Sequence, residues 1–176
     1  MTTLAAITSA LSAAGFELPH VRASGLRGPF RLHEGELALP ELAMRTGTLV
    51  VIGALRVAGA LELQRDSRPL AHVIVVGSCA LGRAYVDGFL VVRDDLDVQT
   101  LVADAAWDGG VFVGGTLAAD TLVVHNTQLT LKGATRARVT ADTAQREAAR
   151  EALPSLFVDD DPEPRAYFDA ITQPPR

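Results

Sequence analysis

The sequence predicts a mainly β protein, namely a single-stranded parallel β-helix (β-solenoid) of about five coils with short helices at the N- and C-termini. Three observations lead to this fold class. Glycine recurs every six residues in the stretch GTLVVIGALRVAGALELQ, at Gly47, Gly53 and Gly59. Apolar residues alternate between these glycines, and similar blocks continue to about residue 140. Because aromatic residues make up only 5% of the chain, the core must be built from Leu, Val, Ile and Ala.

Each block of six residues predicts one short strand followed by a corner. The third and fifth residues of a block are mostly apolar and lie on the same side of a strand, so we expect them to face inward, as with Leu49 and Val51. The first residue turns the chain, which favours glycine because glycine accepts a positive φ. Three blocks make a coil of roughly 18 residues that adds about 4.8 Å along the axis. The alternative, an antiparallel sandwich, would show Asn-Gly or Asp-Gly turns at a spacing of about 8–12 residues.

The chain divides into three zones. Residues 1–35 contain a short amphipathic helix, with Thr2 or Thr3 as N-cap, and an irregular connector. Residues 36–140 form the β-solenoid, which is interrupted by LQRDSRPLAH and ADAAWDGG, two predicted side loops. Residues 141–176 form a helical segment that Thr140 or Asp142 could cap. An open solenoid end exposes backbone and core side chains, so we expect the terminal helices to cover the two ends.

Composition and charge exclude several classes of function. The net charge of −5 argues against a nucleic-acid-binding surface and is compatible with a basic protein partner. No segment has the 18 or so continuous apolar residues of a membrane span, and the N-terminus does not have the pattern of a secretion signal, so the expected location is cytoplasmic. Cys79, the single cysteine, falls at an inward third position and should be a buried, inert thiol.

The Gly-x-Leu-x-Val cadence of GTLVVIGALRVAGALEL and GFLVVRDDLDVQTLVAD resembles that of the bactofilins, bacterial β-helix proteins that form polymers. The resemblance covers about residues 47–140. It implies a β-helix that assembles end to end through bare terminal coils and has no enzymatic activity. This chain departs from that pattern in the two interruptions of its cadence and in the helix-like segments at both termini. Since capped solenoids do not polymerise readily, the second departure argues against a polymer.

Hexapeptide-repeat acyltransferases are the enzymes whose sequence repeat is most similar to this one, and they use a histidine as general base. His72 and His125 lie in or beside strand blocks, and His125 falls at a fifth position that should face inward. Ordinary histidines, partly buried with a hydrogen-bond partner or placed at a corner, explain both residues more simply. Glycine also does not precede the inward residue as regularly as in those enzymes.

Two acidic clusters have simpler explanations than a catalytic or metal site. Asp94, Asp95 and Asp97 could suggest a pectate-lyase-like site, but the first two fall at a corner, where Asp serves as a turn residue. The run VDDDPE at residues 158–163 does not have the ligand spacing of a calcium loop and predicts a solvated turn. Phosphate-binding loops, paired metal ligands and nucleophile elbows do not occur in the sequence. We therefore expect no enzyme, no cofactor and no metal.

The best candidate for an interaction site is the second interruption, which contains Trp107 and Asp108. An exposed Trp often anchors an interface, although Trp107 could equally pack against the solenoid. Tyr85, Phe89 and Phe112 could contribute to the same side if the coils align them. The sequence thus predicts a non-catalytic protein-interaction module, for example one that neutralises a partner as immunity proteins do. The alternative is a bactofilin-like scaffold that self-associates, and an acyltransferase is a distant third.

Overall fold

The computed structural model describes residues 2–18, 25–64, 70–105 and 109–172. In these ranges the chain contains a first helix, a long series of strands, and two further helices separated by a 3-10 turn and a small hairpin. The helices are α1 (Leu4–Ala13), α2 (Arg146–Ala152) and α3 (Pro164–Thr172). The strands are β1 (Phe30–Glu34), β2 (Leu37–Leu39), β3 (Leu42–Met44), β4 (Gly47–Ile52), β5 (Leu55–Leu63), β6 (Ala71–Val75), β7 (Cys79–Val86), β8 (Phe89–Val92), β9 (Leu96–Ala103), β10 (Gly110–Val113), β11 (Leu117–Val124), β12 (Gln128–Leu131), β13 (Thr135–Asp142), β14 (Phe157–Val158) and β15 (Asp161–Pro162).

Strands β1 to β13 form the predicted parallel solenoid, with six coils rather than about five, and β14 and β15 form a separate antiparallel hairpin. One sheet, in the order β1-β4-β6-β8-β10-β12, is here called wall 1. The other sheet contains the long strands β5, β7, β9, β11 and β13, whose pairing is interrupted near the middle of each strand, where the chain turns a corner. We call the first halves of these strands, with β2, wall 2, and the second halves, with β3, wall 3. The first coil begins at β1, inside the stretch that the sequence analysis assigned to the N-terminal connector.

Aliphatic residues fill the interior in columns that run from coil to coil. In wall 1, Leu49, Val73, Leu90 and Val111 are aligned by the strand register, and each is at most 5% exposed. Cys79 occupies the corresponding interior position in wall 2 and is buried, as predicted, and burial raises the pKa of its thiol to about 12. Each fully buried Leu or Val contributes about 1.5–3 kcal/mol, so the stacked columns hold the coils together.

Gly47, Gly53 and Gly59 lie at three successive corners of one coil, and backbone packs directly on the backbone of the preceding coil at each of them. Gly53 follows β4 with φ +143, and a Cβ on it would overlap the carbonyl group of Gly35 in the preceding coil. A Cβ on Gly77, in the next coil, would overlap the carbonyl group of Gly53 in the same way. At Gly53 and Gly77 neighbouring coils approach too closely for a side chain, whereas the fourth coil has Asp94 at the same corner.

The six-residue phase fails at the corner between walls 2 and 3. In β9 the interior residues are Leu96 and Val98 and then Leu101 and Ala103, so only two residues separate the two pairs. Counting in blocks of six assumes three residues at this corner. The inward positions that it assigns to the block after the corner are therefore displaced by one residue. The prediction that His125 faces inward was therefore wrong, because Val124 is interior and His125 lies just beyond the end of β11.

The terminal helices lie against the sides of the solenoid, whereas the sequence analysis placed them over its ends. Ile7 and Leu11 of α1 pack on the outward apolar residues of wall 1. Phe168 of α3 is fully buried on the outward residues of wall 3. Thr3 caps α1 as expected, with its Oγ1 accepting from the Ala6 amide at 3.3 Å. Among the described residues, no helix has the length and apolar character needed to cross a membrane.

The difference in helix position has a physical cause in the outward residues of the middle coils. Walls 1 and 3 carry apolar side chains on both faces, as Val50 and Ile74 show for wall 1 and Val102 and Val123 for wall 3. These outward faces must be removed from water, and the two terminal segments do this. The N-cap proposed for the C-terminal helix also differs, because Thr140 and Asp142 belong to β13 and α2 starts at Arg146.

Candidate functional site

Wall 2 differs from the other walls in the residues that it presents to solvent. Its outward positions alternate between alanine and charged residues, and in register these are Ala38, Arg56, Ala80, Asp97, Ala118 and Arg136. Arg56, Asp97 and Arg136 are exposed. Such a face has little apolar area to cover, so wall 2 is stable in contact with water.

A shallow depression of about 450 Å³ lies on wall 2 near the C-terminal end of the solenoid. Its charged lining residues are Asp97, Asp120, Arg136 and Arg138. Ala118 contributes only a methyl group between the charged positions, which leaves the surface low at this point. The carboxylates belong to the fourth and fifth coils, and the two arginines belong to the sixth.

The last coil, β12 and β13, forms an edge of both sheets, which we call the open edge. A strand at the edge of a parallel sheet pairs on one side, so alternate N–H and C=O groups point away from its neighbour. The interior positions of this coil are themselves accessible, since Thr135 and Thr140 are exposed although they continue the columns of Leu117 and Leu122. The open edge therefore offers both main-chain groups and polar side chains.

Three exposed cations follow the open edge, Lys132, Arg136 and Arg138, and we call them the basic edge. Nζ of Lys132 lies 5.5 Å from the centroid of the Phe112 ring. In the described part of the chain, neither Arg136 nor Arg138 forms an ion pair. Asp97 and Asp120 line the same depression, so the two arginines have carboxylates near them but are not bound to them. Although the whole chain has a net charge of −5, its last coil carries three cations, Lys132, Arg136 and Arg138, and one carboxylate, Asp142.

The two ends of the solenoid do not match one another in their interior residues. The first coil places Arg31 and His33 in the interior columns of wall 1, while the last coil places Leu129 and Leu131 there. In walls 2 and 3 the interior residues are apolar in the first coil and mostly polar in the last coil. The first coil has Leu37, Leu39, Leu42 and Met44, and the last coil has Thr135, Ala137, Thr140 and Asp142. Stacking one copy on another in register would thus place polar groups against apolar ones.

A polar cluster occupies the corner between wall 3 and the next coil, beside the second interruption. Tyr85 donates its hydroxyl hydrogen to Oδ2 of Asp104 at 2.6 Å. Oδ1 of Asp104 is 4.0 Å from Nε2 of His125, and Nδ1 of His125 is 2.7 Å from Oγ1 of Thr143. Burial raises the pKa of the Asp104 carboxyl, and the Tyr85 hydrogen bond and His125 partly offset this effect. The cluster links four successive coils, which gives it a structural role in the alignment of this corner.

The sequence-predicted interaction residues do not form one surface in the described structure. Tyr85 lies on wall 3 beneath α3, with its ring centroid 5.6 Å from that of Phe168. Phe89 and Phe112 lie on the outward face of wall 1, where Phe112 is 8% exposed and lines a groove of about 840 Å³ beside α1. Trp107 and Asp108 fall outside the described residues, so their predicted role remains a prediction.

Among the residues considered for catalysis, His72 is buried, with no hydrogen-bond partner for its Nδ1 among the described residues, and Asp94 and Asp95 lie at a corner. His72 is 4% exposed and stacks on Phe89, with ring centroids 5.1 Å apart. Asp94 pairs with Arg93 at 2.8 Å, and Asp95 accepts a hydrogen bond from the Thr116 amide at 2.6 Å.

The acidic turn of the C-terminal segment is bound to α2. Two of its three aspartates pair with helix arginines, Asp161 with Arg146 and Asp160 with Arg150. Within the described ranges, no group of three or more His, Cys, Asp or Glu side chains is arranged to hold a metal ion.

Sequence reasoning missed the basic edge, although a signal for it exists. In the stretch LKGATRARVTAD, residues 131–142, the interior positions change from Leu and Val to Thr and Ala, and three cations occur within seven residues. That change in pattern marks the end of the solenoid.

No protein-family model matches this chain, and neither the curated proteins nor the solved structures contain a significant match to it.

Proposed function

We propose that the protein is a non-catalytic binding module that contacts another protein through the C-terminal part of wall 2 and the basic edge. One observation carries this proposal. The chain covers the outward faces of walls 1 and 3 with its own helices, whereas Arg136 and Arg138 remain exposed and without ion-pair partners among the described residues. Exposed charges on a rigid sheet are suited to recognition of a complementary surface.

The charged residues at the two ends of the solenoid indicate whether the partner presents an acidic or a basic contact surface. Arginines that form no ion pair with the described residues favour an acidic contact surface on the partner at the last coil. The net charge of −5 would steer basic proteins instead, and these would meet the first coil, where Glu34, Glu36 and Glu41 lie. We favour the basic edge because its cations lie beside a depression and an open edge. Neutralisation of a partner in the cytoplasm, as immunity proteins neutralise toxins, is the biological form that we propose.

Charge reversal at the last coil tests the proposal. Arg136→Glu with Arg138→Glu should abolish recovery of the partner that copurifies from native cells with the wild-type protein, measured by quantitative mass spectrometry. Arg56→Glu is the control for position, since Arg56 is an exposed arginine of the same wall 2 column that lies four coils from Arg136 and pairs with Glu36. Equal recovery by the double variant and the wild type would overturn the proposed binding surface.

A second candidate is self-assembly of the bactofilin type. It is favoured by the position of α1 and α3 on the sides of the solenoid, because the sequence argument against a polymer relied on helices over the ends. The mismatched interior columns of the first and last coils oppose it. Light scattering at increasing protein concentration separates the two functions, since a binding module remains a small particle and a scaffold forms filaments.

A further inference from the structure

We propose that the open edge accepts one extended acidic segment of the partner, which adds beside β13 as a seventh rung of the solenoid. This inference rests on the proposed binding function and names the occupant of that surface. Addition of a strand to a sheet edge uses main-chain hydrogen bonds for affinity and side-chain pairs for specificity. Both requirements are met in the last coil.

The main-chain requirement is met by β13, which extends over eight residues, Thr135–Asp142. Its register with β11 is regular on both sides of the bend, from Leu117 opposite Thr135 to Val124 opposite Asp142. Since the outer side of β13 has the same spacing of donors and acceptors, it can pair with an extended segment of similar length. Thr135 and Thr140, which face the interior of the last coil, are exposed, so this side is accessible at both positions, while α2 contacts β13 near the buried Ala141.

The interior side chains favour a single strand over a second copy of the solenoid. A second copy stacked in register would bring Leu37, Leu42 and Met44 against Thr135, Thr140 and Asp142. Those apolar residues would gain little from contact with polar groups that prefer to remain hydrated. A single strand has no interior of its own to bury, so Thr, Ser or other small polar residues can face these positions.

The outward side chains specify acidic residues in the partner segment. Arg136 and Arg138 are two positions apart on one strand, so both point outward. Glu or Asp at alternate positions of an added strand would lie beside them at the usual interstrand spacing of about 4.8 Å. Lys132, at the preceding corner, extends the same positive rim. The occupant is therefore an extended segment that alternates acidic and small polar residues.

The test uses a fluorescently labelled peptide of alternating Glu and Thr, as long as the eight residues of β13, with binding to the full chain measured by fluorescence anisotropy. We expect saturable binding that Arg136→Glu or Arg138→Glu weakens by about tenfold and that Arg56→Glu leaves unchanged. A second peptide carries the same charges but is N-methylated at alternate residues, which removes backbone donors. It should not bind. Hydrogen exchange should slow at the β13 amides when the first peptide binds.

Three results would overturn the inference. Equal binding of the N-methylated peptide would show that charge alone is responsible. Equal weakening by Arg56→Glu would place the contact elsewhere on wall 2. Failure of the Glu-Thr peptide to bind, while partner recovery still depends on Arg136 and Arg138, would reject strand addition and leave the proposed binding function intact. If partner recovery did not depend on these arginines either, the proposed function itself would fail.

Discussion

The hydroxyl oxygen of Tyr85 lies 2.6 Å from Oδ2 of Asp104, which follows the neighbouring strand one coil further along the solenoid. This hydrogen bond joins wall 3, where Tyr85 is covered by α3, to the corner from which the second interruption departs. Arg165 of α3 lies over the ring of Tyr85, with its Cζ 4.9 Å from the ring centroid. A single phenol thus connects the C-terminal helix, the solenoid and the polar corner.

Asp104→Asn should change the pH dependence of stability. Burial raises the folded-state pKa of Asp104 above its unfolded value of about 3.9. At pH values between the unfolded and the folded pKa, the folded state binds more protons than the unfolded state. The free energy of unfolding therefore falls as the pH rises through this range. Asn can still accept the Tyr85 hydrogen bond and does not titrate. We expect the variant to be at least as stable as the wild type at pH 7 and to lose this pH dependence, measured by urea unfolding. Asp97→Asn on exposed wall 2 is the control, and a marked loss of stability at pH 7 would contradict the prediction.

His72→Leu should remove an acid sensitivity of the fold. Burial lowers the pKa of His72, with a partial offset by the backbone of Gly47 and Leu70. Below its unfolded pKa of about 6.5 the unfolded chain takes up a proton that the folded chain does not, so the free energy of unfolding falls as pH falls. The variant should lose less stability than the wild type between pH 7 and pH 5, measured by thermal unfolding. His33→Leu, in the first coil, is the control, and an unchanged pH profile in His72→Leu would contradict the prediction.

Gly77→Ala should destabilise the solenoid although it adds one methyl group. The new Cβ would overlap the carbonyl group of Gly53, so two coils must move apart at a cost of about 1–3 kcal/mol in the free energy of unfolding. Gly15→Ala is the control, because Gly15 has φ +63 and no heavy atom within 4 Å of a built Cβ, and only the backbone cost of about 1 kcal/mol applies. Chemical denaturation measures both values. Equal costs would show that close approach of the coils is not the reason for glycine at this corner.

Replacing the polar interior residues of both terminal coils should convert the protein into a polymer. Arg31→Leu and His33→Val at one end, with Thr135→Leu, Thr140→Leu and Asp142→Val at the other, would place apolar residues against apolar ones in every terminal column. Open sheet edges with matched apolar interiors associate readily. Light scattering should then rise with concentration. Variants changed at only one end are the controls, and filaments formed by them or by the wild type would contradict the assigned role of these residues.

Local sequence patterns predicted the repeating part of the fold because each coil requires the same types of residue at the same positions. Glycine at corners such as Gly53 and aliphatic residues such as Leu49 and Val51 follow from close packing between neighbouring coils, and the stack repeats that requirement along the chain. The error at His125 shows the limit of this reasoning. A corner can use two or three residues between interior positions, and only the packing of adjacent coils decides which number occurs.

The sequence by itself determined a parallel solenoid with an aliphatic interior, because alternation and glycine spacing act between residues that are near one another in the chain or one coil apart. Only the tertiary structure decided where the terminal helices lie, which wall remains uncovered and which cations meet at the last coil. Those features depend on the outward faces of strands that are far apart in sequence. Tyr85 and Arg136 both belong to long strands of the same sheet, yet one is buried beneath α3 and the other is exposed on wall 2.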